Sequence, residues 1–369
     1  MEFIVKQPAL LKELEVLQGV VERKNTVPIL SNVLLSAGAE GIEVMATDLE
    51  VSVRGRTEAE VRQEGGACVS AKKLYEIVRL LPDSDITVKD DADHWVTIVC
   101  GRSRFRIMGL SREDFPTLPS PGNATKTRIH GNLLKGMIER VIFAVTSDDT
   151  RFTLNGALML LKNGTISLVA SDGHRLALVR EKLDGKGVAE EERVLVPRKA
   201  LAEIARMVAG AEGDVLYCRM ENHLFFDIGH RVLSSRLLEG TFPNFEKVIP
   251  AGNDKSVQFD RNELMTALTR VSLLANERSR AVKVSLRSGK AEVSSRNPEM
   301  GDASEALDVE YAGEDLDIGF NGKYILDFLG AAGTAKVSFQ LKNEETQGLL
   351  RPEGEGAGEY TYVVMPMRL

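Results

Sequence analysis

Ser171, Asp172, Gly173, His174 and Arg175 place a nucleophile, an acid and a base within five consecutive positions. Such residues could support acyl transfer, with Ser171 attacking, His174 taking its proton and Asp172 orienting the imidazole. The spacing argues against that chemistry. Members of a working triad usually come from separate segments, because three side chains on one short turn cannot easily line up donor to acceptor. An Asp-Gly pair between two apolar runs reads instead as a turn joining strands. Asp148-Asp149 offers adjacent carboxylates for a cation, but no further ligands accompany them. The five histidines (His94, His130, His174, His223, His230) show no metal-ligand spacing, and no cysteine stands usefully near one. Phosphate-loop, GxGxxG, HExxH, CxxC and GxSxG motifs are all missing. The expectation is a chain without catalytic residues, cofactor or metal.

Recurring cations suggest a different chemistry. Lys72, Lys199 and Lys323 share one place in three related segments, VSAKKLYEIVRLL from Val69, VPRKALAEIARMV from Val196 and FNGKYILDFLGAA from Phe320. Arg79 and Arg206 follow seven residues later, and Gly330 takes that place in the third copy. Seven residues is about two helical turns, so each Lys/Arg pair lies on one face, opposite the apolar stripe. One such lysine is an ordinary solvated residue. Three in register could line a basic channel, if the copies turn this face toward a common axis. The turn after the preceding helix is less uniform. It reads Arg23-Lys24, then Ser147-Asp148-Asp149, then Glu277-Arg278, so only the first and third copies offer a cation there.

The elements carrying these residues repeat with a period of about 123, one third of the 369 residues. An apolar residue opens each first helix five positions before a leucine, as Val5…Leu10, Ile129…Leu134 and Phe259…Leu264. Helical spacing continues through Leu14, Leu17 and Val21, through Ile138, Val141 and Val145, and through Leu268, Val271 and Ala275. Glycine-centred turns follow at Gly41, Gly164 and Gly289, flanked by alternation typical of half-buried strands. Asn163-Gly164 is the strongest of them, since both central residues of that hairpin turn must accept positive φ. The lysine-bearing second helix comes next, with Ser70, Pro197 and Asn321 in one slot suited to helix starts. Connector-like SPGNATK and PAGNDK mark seams near 122 and 251. Three degenerate α+β domains are expected, at 1–122, 123–251 and 252–369.

Composition bounds the partners. With 43% hydrophobic and 27% charged residues, each domain can bury an ordinary core. Lys and Arg number 47 against 54 Asp and Glu, a net charge of −7. That balance opposes coating of nucleic acid by bulk charge unless the positive residues gather on one surface. Three widely spaced cysteines (Cys68, Cys100, Cys218) argue against a disulfide framework and suit a reducing cytoplasm. No apolar run reaches the roughly 18 residues needed to cross a bilayer, so no membrane partner is expected. The opening MEFIVKQPALLKELE carries acids and no cleavage site, unlike a signal peptide.

Longer motifs then carry a family likeness. They include TVPILSNVLL (26–35), ATDLE (46–50), GRSRF (101–105), DFPTL (114–118), RFTLNG (151–156), ASDGHRLA (170–177), VPRKAL (196–201), TFPNF (241–245), FNGKYILD (320–327) and VVMPMRL (363–369). From residue 1 to 369 the chain resembles the bacterial DNA polymerase III beta subunits, the sliding clamps. The resemblance implies an α+β chain of three clamp-type domains, with helices lining the inside and antiparallel sheets outside. Two chains would close head to tail as a homodimeric ring. That ring encircles duplex DNA without sequence specificity and confers processivity on the replicative polymerase. The implied partners are the DNA polymerase III alpha subunit, the clamp loader complex, and other polymerases and repair proteins carrying clamp-binding peptides. A separate ATPase opens the ring, so the clamp needs no nucleotide site, and its location would be cytoplasmic.

Carried over position by position, the family's DNA contacts fall on Lys24, Lys72, Asp148, Phe152 and Thr153, to which the repeated lysine adds Lys199. Asp148 departs from the pattern by setting an acid where phosphate would approach, and Thr153 stands where an aromatic can occur. The partner-peptide pocket falls on Leu154, Ser171, Gly173, His174, Arg175, Leu176, Pro243, Lys247, Asn321 and Tyr324. It continues through the tail Val363, Val364, Met365, Pro366, Met367, Arg368 and Leu369. Ser171 replaces a threonine and Lys247 an arginine. The subunit interface falls on Phe105, Leu273 and Leu274, with Arg102 and Arg104 facing acids around Glu299, Asp302 and Glu305. Two rival readings are a scaffold or ligand-binding protein without nucleic acid, and a hydrolase at Ser171–His174. Retention on circular DNA separates the first, and turnover by a His174→Ala variant the second.

Overall fold

A computed structural model describes residues 1–21, 27–146, 148, 150–183, 191–209, 213–356 and 358–368. Arg23, Lys24, Ser147, Asp149 and Leu369 lie outside the described residues. Six α-helices occur among those described: α1 (Gln7–Leu17), α2 (Ala71–Leu80), α3 (Gly131–Val141), α4 (Arg198–Ala209), α5 (Arg261–Val271) and α6 (Gly322–Ala331). The leucine-led triplets of α1, α3 and α5 are all buried, as one face of a 3.6-residue period must be. The helices are shorter than the apolar spacing implies. Val5, Ile129 and Phe259 sit on the strands Glu2–Lys6, Thr127–His130 and Lys255–Asp260 that lead into them. Val145 and Ala275 lie past 3₁₀ turns at Ile142–Ala144 and Ser272–Leu274. A buried strand residue and a buried helix residue are equally apolar, so periodicity alone does not separate them.

The start slot of the second helix behaves as its chemistry requires. Ser70 Oγ accepts from Lys73 N at 3.4 Å and Asn321 Oδ1 from Lys323 N at 3.0 Å, capping α2 and α6. Pro197 ends the strand Glu192–Pro197, and Arg198 N, opening α4, donates to Asn155 O at 3.0 Å. Gly41, Gly164 and Gly289 take φ of +112°, +71° and +74°, with Asn163 at +51° completing the expected hairpin turn. A further mark of the repeat lies in the next turn. Asp48, Asp172 and Asn297 each accept a backbone amide two residues on, from Glu50, His174 and Glu299 at 2.9, 2.9 and 3.0 Å.

All sheets are antiparallel, with 13, eight and four strands among the described residues. The chain forms two compact units, Met1–Lys135 with Lys199–Leu237, and Gly136–Arg198 with Leu238–Leu369. These units divide the central repeat. Within the first, its strand Arg231–Arg236 pairs with Val51–Thr57 of repeat one. Within the second, its strand Arg175–Lys182 pairs with Glu359–Val364 of repeat three. Ladder hydrogen bonds thus run through both repeat boundaries and leave no open edge there.

A buried charge cluster fastens the first unit. Glu13 of α1, 3% exposed, accepts from Arg231 Nε at 2.9 Å on Oε2 and from Nη2 at 2.8 Å on Oε1, and His230 Nε2 lies 2.8 Å from that same Oε1. Gly55 leaves room for the carboxylate, since a Cβ there would stand 2.1 Å from Glu13 Oε2. Arg231→Ala strands Glu13 in the interior and is expected to destabilise the protein by about 3–5 kcal/mol. Urea unfolding reads this as a lower midpoint at unchanged slope. A loss under about 1 kcal/mol would assign the stability of this seam to its ladder alone.

Candidate functional site

Three groups of residues were singled out by sequence, and each has its own surroundings. Among the repeated lysines Lys72 and Lys323 are exposed, Lys72 with Glu76 at 3.8 Å. Lys199 is not a solvated surface residue. Its ammonium donates to Val20 O at 2.9 Å and pairs with the buried carboxylate of Asp48. Arg206 likewise donates to Glu15 O at 2.6 Å and to Val16 O, satisfying carbonyls at the C-terminal end of α1. The expected basic face of α4 is therefore spent on fastening repeat one to the central repeat within the first unit. Lys323 is held on α6 by Asp327, at 2.8 and 3.1 Å from its two oxygens. Phe152 opens a 3₁₀ turn, Phe152–Leu154, and is 69% exposed, with Thr153 half-buried behind it. Asp148 accepts from the Thr150 hydroxyl at 2.7 Å and its amide at 3.0 Å. Those bonds, with Arg151 nearby, hold its carboxyl below the ordinary range, so it stays ionised.

Among the described residues, two stretches of unpaired strand edge carry the residues expected at the subunit interface. The strand Ser103–Leu110 pairs with Trp95–Cys100, but with Gly65–Ser70 only at Leu110 and Gly109. Its outer run presents Arg104, Phe105, Arg106 and Met108, with Arg102 just before it, all exposed. Gly301–Asp308 pairs only with Lys290–Asn297 and presents acids, Asp302 and Asp308 exposed and Glu305 half-buried, next to exposed Glu299. Glu305 is already held by Arg270 of α5, whose Nε donates at 2.8 Å. That pairing keeps its carboxyl low. Leu273, on the 3₁₀ turn after α5, is 75% exposed, and Leu274 is half-buried.

In the second unit an apolar cleft of ≈ 520 Å³ opens beside the Ser171–Arg175 turn. Leu154, Ser171, Gly173, His174, Arg175, Leu176, Pro243, Val363 and Met365 line it. So do Phe242, Phe245 and Val248, which the residue-by-residue expectation omitted. Leu154, Leu176, Phe242, Phe245 and Val363 belong to one buried cluster beneath it. Lys247 is exposed on the 3₁₀ turn Phe245–Val248. Asn321 and Val364 serve as helix cap and buried strand residue, and Tyr324 lies behind Arg175. The tail is tied at two points, Met365 N to His174 O at 2.9 Å and Met367 N to Gly319 O at 2.8 Å. Pro366 between them is half-buried and Arg368 exposed.

The cleft wall uses the Ser171 hydroxyl, the Asp172 carboxylate and the His174 backbone for folding. Ser171 Oγ donates to Arg175 O at 2.7 Å, and Asp172 Oδ1 accepts from the amides of His174 and Arg175 at 2.9 and 3.1 Å. Gly173, at φ +88°, lies beneath Arg151, whose Nη1 donates to Asp172 O at 2.8 Å. Arg175 is 8% exposed. Its guanidinium donates to Asp172 Oδ2 at 3.0 Å, to Asp327 Oδ2 at 2.6 Å and to Phe143 O, and sits 4.3 Å over the Tyr324 ring. Burial opposes its charge, but Tyr362, Asp327 and Asp172 outweigh that and leave its pKa raised. Burial also raises the phenols of Tyr324 and Tyr362.

Among the described residues no group of His, Cys, Asp and Glu could hold a metal ion, and no helix is long and apolar enough to cross a membrane. Cys68 is buried in an apolar cluster, its thiol pushed up to about 12 by that burial.

Comparison with known proteins covers all three repeats. Models of the DNA polymerase III beta subunit match as its N-terminal domain over 1–119, central domain over 128–244 and C-terminal domain over 246–368. The beta sliding clamp of Pseudomonas putida is 38% identical, and that of Caulobacter vibrioides 36%, each aligned over 100% of both chains. The crystal structure of a sliding clamp from Pseudomonas aeruginosa bound to griselimycin superposes with a TM-score of 0.94 at 37% identity, again over 100% of both chains.

Proposed function

The chain belongs to the DNA polymerase III beta subunit family, the beta sliding clamps, and we propose that two copies of it close head to tail into a ring around duplex DNA. The observation that carries this assembly is a pair of unpaired strand stretches of opposite charge, the outer run of Ser103–Leu110 and the edge strand Gly301–Asp308. One is cationic (Arg102, Arg104) and the other acidic (Glu299, Asp302), and open edges invite pairing. A contact between two different surfaces makes a closed ring when its rotation completes the circle. Such a ring holds DNA by topology and tethers the replicative polymerase to its template. A scaffold reading without nucleic acid is not favoured, because the full-length relatives are named as sliding clamps.

Within that reading the three domains span 1–122, 123–251 and 252–369, and the protein works in the cytoplasm without covalent chemistry of its own. Lys24, Lys72, Phe152 and Thr153 meet the DNA backbone, with Asp148 too acidic to hold phosphate directly. Lys199 contributes by bracing Asp48. The apolar cleft takes short peptides from the polymerase alpha subunit, the clamp loader and repair proteins. Affinity for a short linear duplex should be weak, with Kd about 10⁻⁴–10⁻⁶ M or weaker, and should fall with salt. Changing Lys24 and Lys72 to Ala should reduce the salt slope by about 1 each. Tight, salt-resistant binding to one linear sequence would refute the reading.

A further inference from the structure

We infer that Asp327, which lies outside the cleft on α6, positions Arg175 in the cleft wall and so governs how tightly an apolar peptide is held there; this rests on the cleft being the peptide site. The hydrogen-bond partners of Arg175 are Asp172, Asp327, the Phe143 carbonyl and the neutral phenol of Tyr362, and they are not alike. Asp172 belongs to the same turn and already holds that turn's amides, so it moves with Arg175 rather than anchoring it. The Phe143 carbonyl is neutral. Asp327 alone brings a full charge from another element, at 2.6 Å. Tyr324, three residues earlier on α6, supports the guanidinium face at 4.3 Å, so one helix grips its edge and its face. Lys323 orients the carboxylate by binding both its oxygens from the solvent side.

The consequence runs through the turn. Arg175 O accepts from Ser171 Oγ, and His174 O accepts from Met365 N, so both walls of the cleft depend on where Arg175 is held. A buried guanidinium deprived of its charged partner on a neighbouring element seeks water or another acid. The wall then has to be ordered by the peptide on binding, which lowers affinity.

The test titrates a fluorescein-labelled peptide carrying a Leu-Phe pair against the full-length protein, read by anisotropy. Asp327→Asn keeps the shape and removes the charge, and should weaken binding roughly 5- to 30-fold, less than the loss of a whole charged hydrogen bond because the amide oxygen still accepts. Asp327→Glu, which keeps the charge, should recover most of it. In an Arg175→Met background Asp327→Asn should add less than about twofold, because Asp327 acts through Arg175. Wild-type affinity in Asp327→Asn, or the same weakening with and without Arg175, overturns the inference while leaving the cleft in place. Failure of the wild-type protein to bind any such peptide overturns the cleft reading and the inference with it.

Discussion

Changing Leu273 and Leu274 together to alanine is expected to convert the dimer into folded monomers. Leu273 is 75% exposed and Leu274 half-buried on the 3₁₀ turn that ends α5, so neither is central to the core of its own chain. Folding stability should therefore change little. Burial of each against a second copy contributes about 1.5–3 kcal/mol. Loss of both lowers affinity by about two to four orders of magnitude at each contact. A head-to-tail dimer carries the contact twice, so both joints of the ring weaken together. Sedimentation at nanomolar concentration should show monomers with an unchanged unfolding midpoint. A persistent dimer would place the interface elsewhere.

The second large effect concerns the tail. Deletion of residues 365–369 removes the Met365 side chain from the cleft wall and both backbone ties, to His174 and Gly319. The strand Glu359–Val364 remains paired with Arg175–Lys182 and with Gly348–Glu353, so the second unit keeps its sheet. The truncated protein should assemble normally, fail to bind a polymerase tail peptide and fail to support processive synthesis. Methionine suits such a wall because it adapts to different apolar side chains. Two clefts per ring would also let two partners share one clamp at high effective concentration. Undiminished peptide binding after truncation would move the site away from this cleft.

Much of this was legible in local pattern. Spacing of three or four residues identified α1, α3 and α5, and the Asn163-Gly164 turn declared its hairpin, because both depend on neighbours in sequence. The Ser171–Arg175 segment was readable as a turn for the same reason. Pairing across the chain was not. Glu13 and Arg231 are 218 positions apart, and nothing near either residue announces the other. Lys199 shows the same limit more sharply. Its repeat position matches Lys72 and Lys323, yet a buried Asp48 from another repeat claims it. Phe242 and Phe245 of the cleft stood inside a recognised motif, TFPNF, but their facing into the same pocket as Val363 depends on tertiary packing. The division of the central repeat between two units follows from sheet pairing that no single repeat encodes.

The central claim is that DNA is held by enclosure rather than by affinity, and one measurement addresses it directly. The protein is loaded by a clamp loader onto a nicked circular plasmid, passed through a sizing column, and compared before and after a restriction enzyme cuts the circle once. Enclosure predicts that the clamp travels with the circle, even at salt that abolishes binding to short duplex, and runs off the linear form. Equal retention on circular and linearised DNA, or equal loss from both, would contradict it.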